Sequence, residues 1–284
     1  MLDARHIFRK VTRAVYDFSP EQMKNLSSIV WLYRGQEDRF ANLVAEYLTT
    51  AQDAAQGASF DALSEALEEA LAYFKQHSDA SDLETALAKL KEDTASYSAQ
   101  ASKLTEPQAE IAALTNGLAQ TTIVADAAKT LIKEIDRIAK LATQMQEACV
   151  TAGEKAADGK KHLKAIETER QELTGDPNVQ LIVTGALKRL RYFTDQADWL
   201  LSRFPEGKLA DVEGLVKLVD QTELAERDYS LTAGRYVGVA PEVEDADFDF
   251  DEAIQAIHEK LGTLNDEAAL LAETIAKNFG ELIV

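Results

Sequence analysis

Cysteine, proline and glycine are scarce in this 284-residue sequence, and their scarcity excludes several protein classes. The single cysteine, Cys149, rules out an internal disulfide framework and a cysteine-based zinc site, and is typical of a reducing compartment. There is no run of about 18 apolar residues, and the N-terminus lacks an apolar signal core. We therefore predict a cytoplasmic chain that does not enter a membrane.

Acidic residues outnumber basic ones and give the chain a formal net charge of −19. A protein that binds nucleic acid over its whole surface needs clustered Lys and Arg. The net charge therefore argues against that mode of binding, although it is compatible with local basic faces. Ala, Leu, Glu, Gln and Lys dominate, with only 5 Pro and 13 Gly. This composition predicts an all-α protein with a large core.

Apolar residues recur at alternating spacings of three and four, the pattern of buried helical stripes. One stripe runs from Leu83 to Leu104, and a longer, coiled-coil-like stripe runs from Val124 to Leu173. Asn116-Gly117 offers a turn between them, and Asp176-Pro177 begins a third helix that would cover them. We predict a helical bundle with long antiparallel coiled-coil-like helices, the second about 75 Å long if unbroken.

Local signals mark where some helices begin and end. Ser19-Pro20-Glu21-Gln22 predicts a capping box, with a helix that runs to Tyr33 and ends near Gly35. Ser81 with Glu84 predicts a second capping box, and residues 212–219 predict a short helix. The chain then divides into an N-terminal helical segment at 1–78, a long-helix coiled-coil region at 79–205, and a connector, acidic linker and C-terminal docking helix at 206–284.

Residues 229–238 interrupt the helical pattern. They read Tyr-Ser-Leu-Thr-Ala-Gly-Arg-Tyr-Val-Gly, a mixture of turn-forming residues and residues suited to extended backbone. From composition alone the segment is a connector between helices, with packed aromatic rings.

The same segment resembles the C-terminal signature of the modification (M) subunit of type I restriction-modification systems, which has Pro where this chain has Ala233. We call residues 229–238 the signature. Three further segments support the resemblance and follow the family's order: Leu2-Asp3-Ala4-Arg5, Ile29-Val30-Trp31-Leu32-Tyr33-Arg34-Gly35-Gln36 and Asp211-Val212-Glu213-Gly214-Leu215.

The resemblance implies a helical assembly region that associates with the specificity (S) subunit, with the methyltransferase domain of the M subunit, and in the whole system with the restriction subunit. This chain would contact DNA only within that complex. In the family a methyltransferase domain, which transfers a methyl group from S-adenosylmethionine to adenine N6, directly precedes the Leu2 segment. This chain would therefore begin where the catalytic domain ends.

Adenine methyltransferases need a Gly-rich loop for the methyl donor and an Asn/Asp-Pro-Pro-aromatic motif for the target base. The sequence contains neither motif, so we expect no catalysis and no cofactor in this chain. The four histidines have no metal-ligand spacing. The acidic run at 245–251 lacks the Gly and the bidentate Glu of a calcium loop, so we expect no metal site.

We expect partners to bind at the signature and at the last helix, whose apolar stripe steps by three and four and has charged residues on its other positions. Arg235 has a guanidinium suited to the carboxylates of the acidic linker at 242–252. The predicted partner-binding residues are Tyr229, Arg235, Tyr236, Ile254, Ile257, Leu261, Leu264, Leu271 and Ile275.

The densest cationic run allows two interpretations: a solvated helix face, or a DNA-backbone contact within a larger complex. It comprises Lys155, Lys160, Lys161 and Lys164. Two other functions also compete with the resemblance. One is an unrelated self-assembling coiled-coil scaffold. The other is an enzyme with an unrecognised site, for which the sequence offers no convergent acid, base or nucleophile.

Overall fold

The computed structural model describes residues 1–10, 15–77, 79–151, 156–175 and 185–239, and five positions of the last helix: 254, 257, 258, 261 and 268. Helices dominate the described residues, which confirms the predicted all-α helical bundle. The chain divides into two compact units, residues 1–238 and 239–284. The first unit carries the bundle.

The elements of the first unit follow in chain order. A two-stranded antiparallel hairpin comes first, formed by β1 (Arg9–Lys10) and β2 (Tyr16–Asp17). The helices are α1 (Pro20–Tyr33), α2 (Glu37–Gly57), α3 (Asp61–Phe74), α4 (Ser81–Ala101), α5 (Ile111–Thr151), α6 (Ala156–Thr174), α7 (Ala186–Arg203) and the short α8 (Gln221–Glu226).

Helix α1 begins and ends where the sequence predicts. The backbone N–H of Gln22 donates to Ser19 Oγ at 3.1 Å, and Ser19 N–H donates to Gln22 Oε1 at 2.9 Å, which forms the capping box. Pro20 fits the first turn because its missing N–H would have no partner there. The helix ends at Tyr33, and Gly35 adopts a φ of 69°, which glycine tolerates without strain.

The predicted turn at Asn116-Gly117 is wrong. Helix α5 continues through both residues, and the chain reverses between Ala101 and Ile111 instead. Pro107 lies in this connection and cannot donate a helical hydrogen bond. A Cβ on Gly117 would lie 3.7 Å from Leu48 Cδ1, an ordinary contact, so a packed helix accommodates the Asn-Gly pair without turning.

The long stripe from Val124 to Leu173 belongs to two helices and not to one. Helix α5 has 41 residues, about 60 Å, and α6 packs back against it. Arg170 Nη1 donates to Asp136 Oδ1 at 2.6 Å, and Gly159 lies against the side chain of Gln146. These pairings make the two helices antiparallel. Cys149 is buried in α5, as expected for a small core residue.

Two smaller predictions fail and one cannot be assessed. Ser81 does not cap α4; the capping position is Ala80, which has no side-chain hydrogen bond. Residues 212–219 form no helix, because Val212 and Leu2 each make an isolated β-bridge with Val216. The predicted start of the third long helix at Asp176-Pro177 lies outside the described residues.

The core consists of two hydrophobic clusters. The larger one lies among α3, α4, α5, α6 and the C-terminal half of α2, and it contains the predicted α4 stripe. The second cluster joins α1, the N-terminal half of α2, α7 and the segment at 212–216. Phe40 and Phe204 pack edge to face in it, with ring centroids 6.1 Å apart. This second cluster supports the candidate site.

A buried polar chain links three helices of the second cluster. Tyr47 Oη donates to Asn25 Oδ1 at 3.0 Å, and Asn25 Nδ2 donates to Gln196 Oε1 at 2.9 Å. Burial raises the pKa of Tyr47 above its ordinary value, so the hydroxyl keeps its proton and remains a donor.

We expect Tyr47→Phe to lower the free energy of unfolding by about 1–2 kcal/mol, because Asn25 Oδ1 loses its donor inside the core. Urea unfolding followed by circular dichroism measures the change. Tyr33→Phe is the matched control, since the Tyr33 ring is exposed. Equal effects of the two substitutions would show that the buried chain contributes nothing specific.

Candidate partner-docking site

Two segments that carry the resemblance meet at one end of the first unit. Asp3 N–H donates to Leu215 O at 2.8 Å, and Lys217 N–H donates to Met1 O at 3.0 Å. The amino group of Met1 donates in return to Lys217 O at 2.7 Å. The first residues of the chain are thereby paired with the segment that precedes the signature.

The signature is joined to the same place. Gly214 N–H donates to Val237 O at 2.6 Å, which ties the signature to the segment before it. Three of the four segments are therefore joined by hydrogen bonds. We call this place the joint; its residues are 1–5, 211–217 and 229–238. The fourth segment, in α1, contributes Ile29 and Leu32 to the hydrophobic cluster that also contains Leu215.

Residues 3–5 approach the signature closely at Gly234. Arg5 Nη2 donates to Asp3 Oδ2 at 2.6 Å, and a Cβ added to Gly234 would lie only 2.1 Å from that Nη2 atom. The Asp3 side chain is almost fully buried, and its hydrogen bonds from Arg5 lower the pKa of the carboxyl below its ordinary value. Glycine at position 234 therefore leaves room for the ion pair.

The start of the signature and the residue before it are held in an unusual backbone conformation. Asp228 and Tyr229 have φ values of 52° and 51°, in the left-handed region, which costs roughly 1–2 kcal/mol for each residue with a side chain. Tyr236 Oη donates to Ser230 O at 2.6 Å. The Arg227 guanidinium donates to the carbonyl of Arg235 and lies 5.2 Å from the centroid of the Tyr236 ring. These contacts offset the strain and fix the loop.

The predicted partner-binding residues of the signature divide into two groups. Tyr229 is 72% exposed and Arg235 is also exposed, so both are accessible to a partner. Tyr236 is only 4% exposed and acts by holding the loop. Leu231, at 79% exposed, stands beside them, although sequence reasoning did not select it. Its apolar side chain in a polar loop was the signal that could have found it.

Part of the predicted docking helix is described in the second unit. Ile254, Ile257 and Leu261 are helical, and about half of each side chain is exposed. The remaining predicted positions, Leu264, Leu271 and Ile275, lie outside the described residues, as do the acidic residues 242–252 expected to face Arg235. About half of each described stripe residue is therefore accessible to solvent.

The cationic run lies on α6, remote from the signature in sequence. Lys160, Lys161 and Lys164 are exposed, and among the described residues none of them forms an ion pair. Lys155 lies outside the described residues. This exposure is compatible with both predicted interpretations, a solvated face and a DNA-backbone contact.

No described group of three or more His, Cys, Asp or Glu side chains is arranged to hold a metal ion. Within the same residues, no helix combines the length and the apolar character needed to cross a membrane. Comparison with protein families, curated proteins and solved structures gives no match. The case for a function therefore depends on the chain's own residues.

Arg227, just before the signature, and Arg235, within it, should respond differently to substitution. We expect Arg227→Ala to speed amide hydrogen exchange across residues 229–237, because the loop loses both the hydrogen bond to the Arg235 carbonyl and the stacking on Tyr236. Arg235→Ala should leave exchange unchanged, since only the backbone of Arg235 takes part, yet weaken partner assembly in a salt-dependent way. Faster exchange in Arg235→Ala would assign that side chain to the fold instead.

Proposed function

We propose that this chain is the helical assembly region of a type I restriction-modification M subunit. It mediates association with the specificity subunit and with the DNA-bound complex and does not itself transfer methyl groups. The observation that supports the proposal is the joint, where three of the four segments of the resemblance are joined by hydrogen bonds. A chance match of separate pieces gives no reason for those pieces to pair in one fold.

The exposed side chains of the joint fit a docking role. Tyr229 and Leu231 present apolar surface on a fixed loop, and Arg235 adds a cation beside them. Tyr and Arg are enriched among the residues that dominate binding energy at protein interfaces. A loop held before binding also loses less conformational entropy when a partner arrives.

The last helix supplies a second docking element in this proposal. Its half-exposed residues Ile254, Ile257 and Leu261 fit an amphipathic helix that pairs with helices of the specificity subunit. S-adenosylmethionine and the methylated adenine would belong to the methyltransferase domain of the same system. The restriction subunit would join the complex as a further partner.

Copurification tests the proposal. The tagged chain is co-expressed with a specificity subunit and a methyltransferase domain of a type I system, and the captured complex is sized by light scattering. We expect a stoichiometric complex, and no S-adenosylmethionine binding by the chain alone in calorimetry. A self-oligomer that captures neither partner would favour the unrelated coiled-coil scaffold and overturn the proposal.

A further inference from the structure

An ion-pair bridge marks the line on the surface where α5 and α6 meet. Arg170 of α6 donates through Nη1 to Asp136 Oδ1 of α5 at 2.6 Å, and through Nε to Glu167 Oε2 at 2.7 Å. Both carboxylate side chains are more than 40% exposed, so the bridge faces solvent. Farther along, Gly159 of α6 lies against the side chain of Gln146 of α5. These contacts fix the antiparallel register of the two helices. We call the exposed line that continues from the bridge the seam.

Lysines of both helices follow the bridge along the seam. Lys140 comes four residues after Asp136, so it lies on the same side of α5. Lys164 and Lys160 come three and seven residues before Glu167, so they lie on the same side of α6. Because the helices are antiparallel, both steps lead in the same direction from the bridge. The register therefore places Lys140 beside Lys164, with Lys160 about 6 Å farther along.

This stretch of the seam contains cations and no carboxylate. Residues 137–146 of α5 contain two Lys or Arg, residues 159–166 of α6 contain three, and neither range contains Asp or Glu. Arg137 is bonded to Glu134 at 3.3 Å, and its side chain is still 59% exposed. The four lysines are exposed, and none of them forms an ion pair within the described part of the chain: Lys140, Lys160, Lys161 and Lys164.

The cationic stretch has clear limits. Asp136 and Glu167 border it at one end and are both occupied by Arg170, and Glu147 borders it at the other end. The His162 ring lies 5.3 Å from the ring of Tyr73, so α3 covers the other side of α6. Like charges on adjacent turns repel one another. The stretch is therefore a place where an anion from outside the chain gains more than one favourable contact.

We propose that the seam is a contact site for the phosphate backbone of duplex DNA. Lys140, Lys160 and Lys164 contact phosphates, and Arg137 and Lys161 lie at the flanks. Of the two interpretations of the cationic run, the proposal selects the DNA contact and extends it to α5. It goes beyond the proposed function and does not rest on it, because the site belongs wholly to this chain and uses no residue of the joint.

The side chains around the seam favour a phosphate polyanion over a protein or a membrane. Within the described residues 126–149 and 159–174, no large apolar side chain is exposed. Protein interfaces are enriched in aromatic residues and depleted in Lys, and helices that lie on membranes bury an apolar face. Duplex DNA carries one charge per about 1.7 Å of its axis, so it neutralises neighbouring cations together.

The same two ranges favour a duplex over a single strand. They contain no Phe, Trp or Tyr. Sites for single strands combine cations with aromatic rings on which unpaired bases stack, whereas contacts to the duplex backbone need cations alone. Phosphate contacts carry no sequence information, so the seam should bind duplexes of different sequence equally well.

Fluorescence anisotropy with the full chain and a labelled DNA duplex at low salt tests the proposal. We expect binding that weakens as salt is added and that is equal for two duplexes of unrelated sequence. Replacing Lys140, Lys160 and Lys164 together by Ala should lower affinity about tenfold or more. It should also reduce the salt slope by about one unit for each lost phosphate contact. Alanine favours helix and the three lysines are exposed, so the variant should keep the melting temperature of the parent.

The matched control removes the same charge from other elements. Lys24→Ala, Lys103→Ala and Lys208→Ala together should leave duplex affinity within twofold, because these exposed lysines lie outside α5 and α6. Absence of duplex binding at low salt overturns the proposal. So does an equal loss in the two triple variants, since net charge would then explain the binding. Tighter binding of a single strand of the same length, or binding of anionic phospholipid vesicles in place of the duplex, also overturns it.

Discussion

Gly185→Ala is expected to lower the free energy of unfolding by about 3 kcal/mol or more, the largest stability effect we predict for a single substitution. A Cβ at this buried glycine would lie 2.4 Å from Gly175 N, 2.6 Å from Thr174 C and 2.8 Å from Leu173 O. All three are backbone atoms, so no side-chain rotation can relieve the clash. The C-terminal end of α6 and the N-terminal end of α7 must move apart instead.

Gly57→Ala is the control for this prediction. Gly57 is the last residue of α2, and nothing lies within 4 Å of an added Cβ. Alanine there should leave stability unchanged or raise it by up to about 1 kcal/mol, because glycine is the poorer helix former. Urea unfolding monitored by helical circular dichroism measures both variants. Similar losses in the two would show that the close approach at Gly185 does not govern the effect.

The positions of the helices and their buried residues could be predicted from the sequence. A helix buries one face, and apolar residues spaced three and four apart mark that face directly. Leu83, Leu87, Leu90 and Tyr97 are buried as the α4 stripe predicts. The capping box at Ser19 was equally predictable, since the two hydrogen bonds that form it lie within four residues.

The points at which the chain reverses direction were harder to predict, because a stripe of apolar residues looks the same whether it lies on one helix or on two antiparallel helices. The apolar pattern passes through Cys149, Ala152 and Ala156 without a change of period, although α5 and α6 run antiparallel on either side. At Asn116-Gly117 tertiary packing overrode a local turn signal. Elements are therefore easier to predict than the connections between them, because connections depend on contacts made far along the chain.

The interior arrangement of the joint could not be predicted from the residues that form it. Tyr229 and Tyr236 have the same side chain and stand in the same motif, yet one is exposed and the other buried. The difference comes from the left-handed backbone at Tyr229 and from Arg227 lying over Tyr236. Likewise, Arg5 meets Gly234 only because the chain pairs residues 1–3 with residues 215–217.

Replacing Ile257 and Leu261 together by Asp is expected to abolish the proposed association with the specificity subunit, a loss of at least 100-fold in affinity. Each buried aliphatic side chain contributes about 1.5–3 kcal/mol to such an interface, and a carboxylate in its place must also be desolvated. Both residues are exposed within their own unit, so the substitutions should leave the helical signal and the unfolding transition unchanged. Pull-down and calorimetry with the specificity subunit measure the loss.

His258→Asp provides the control, because His258 is exposed on the same helix and lies at the edge of the apolar stripe without being one of its apolar positions. It adds negative charge to the segment without placing it in the apolar stripe, so association should change by less than about threefold, the modest effect of an exposed charge. If the double variant still bound the specificity subunit, the stripe would not be the docking surface. If His258→Asp weakened binding equally, net charge rather than apolar contact would drive the association.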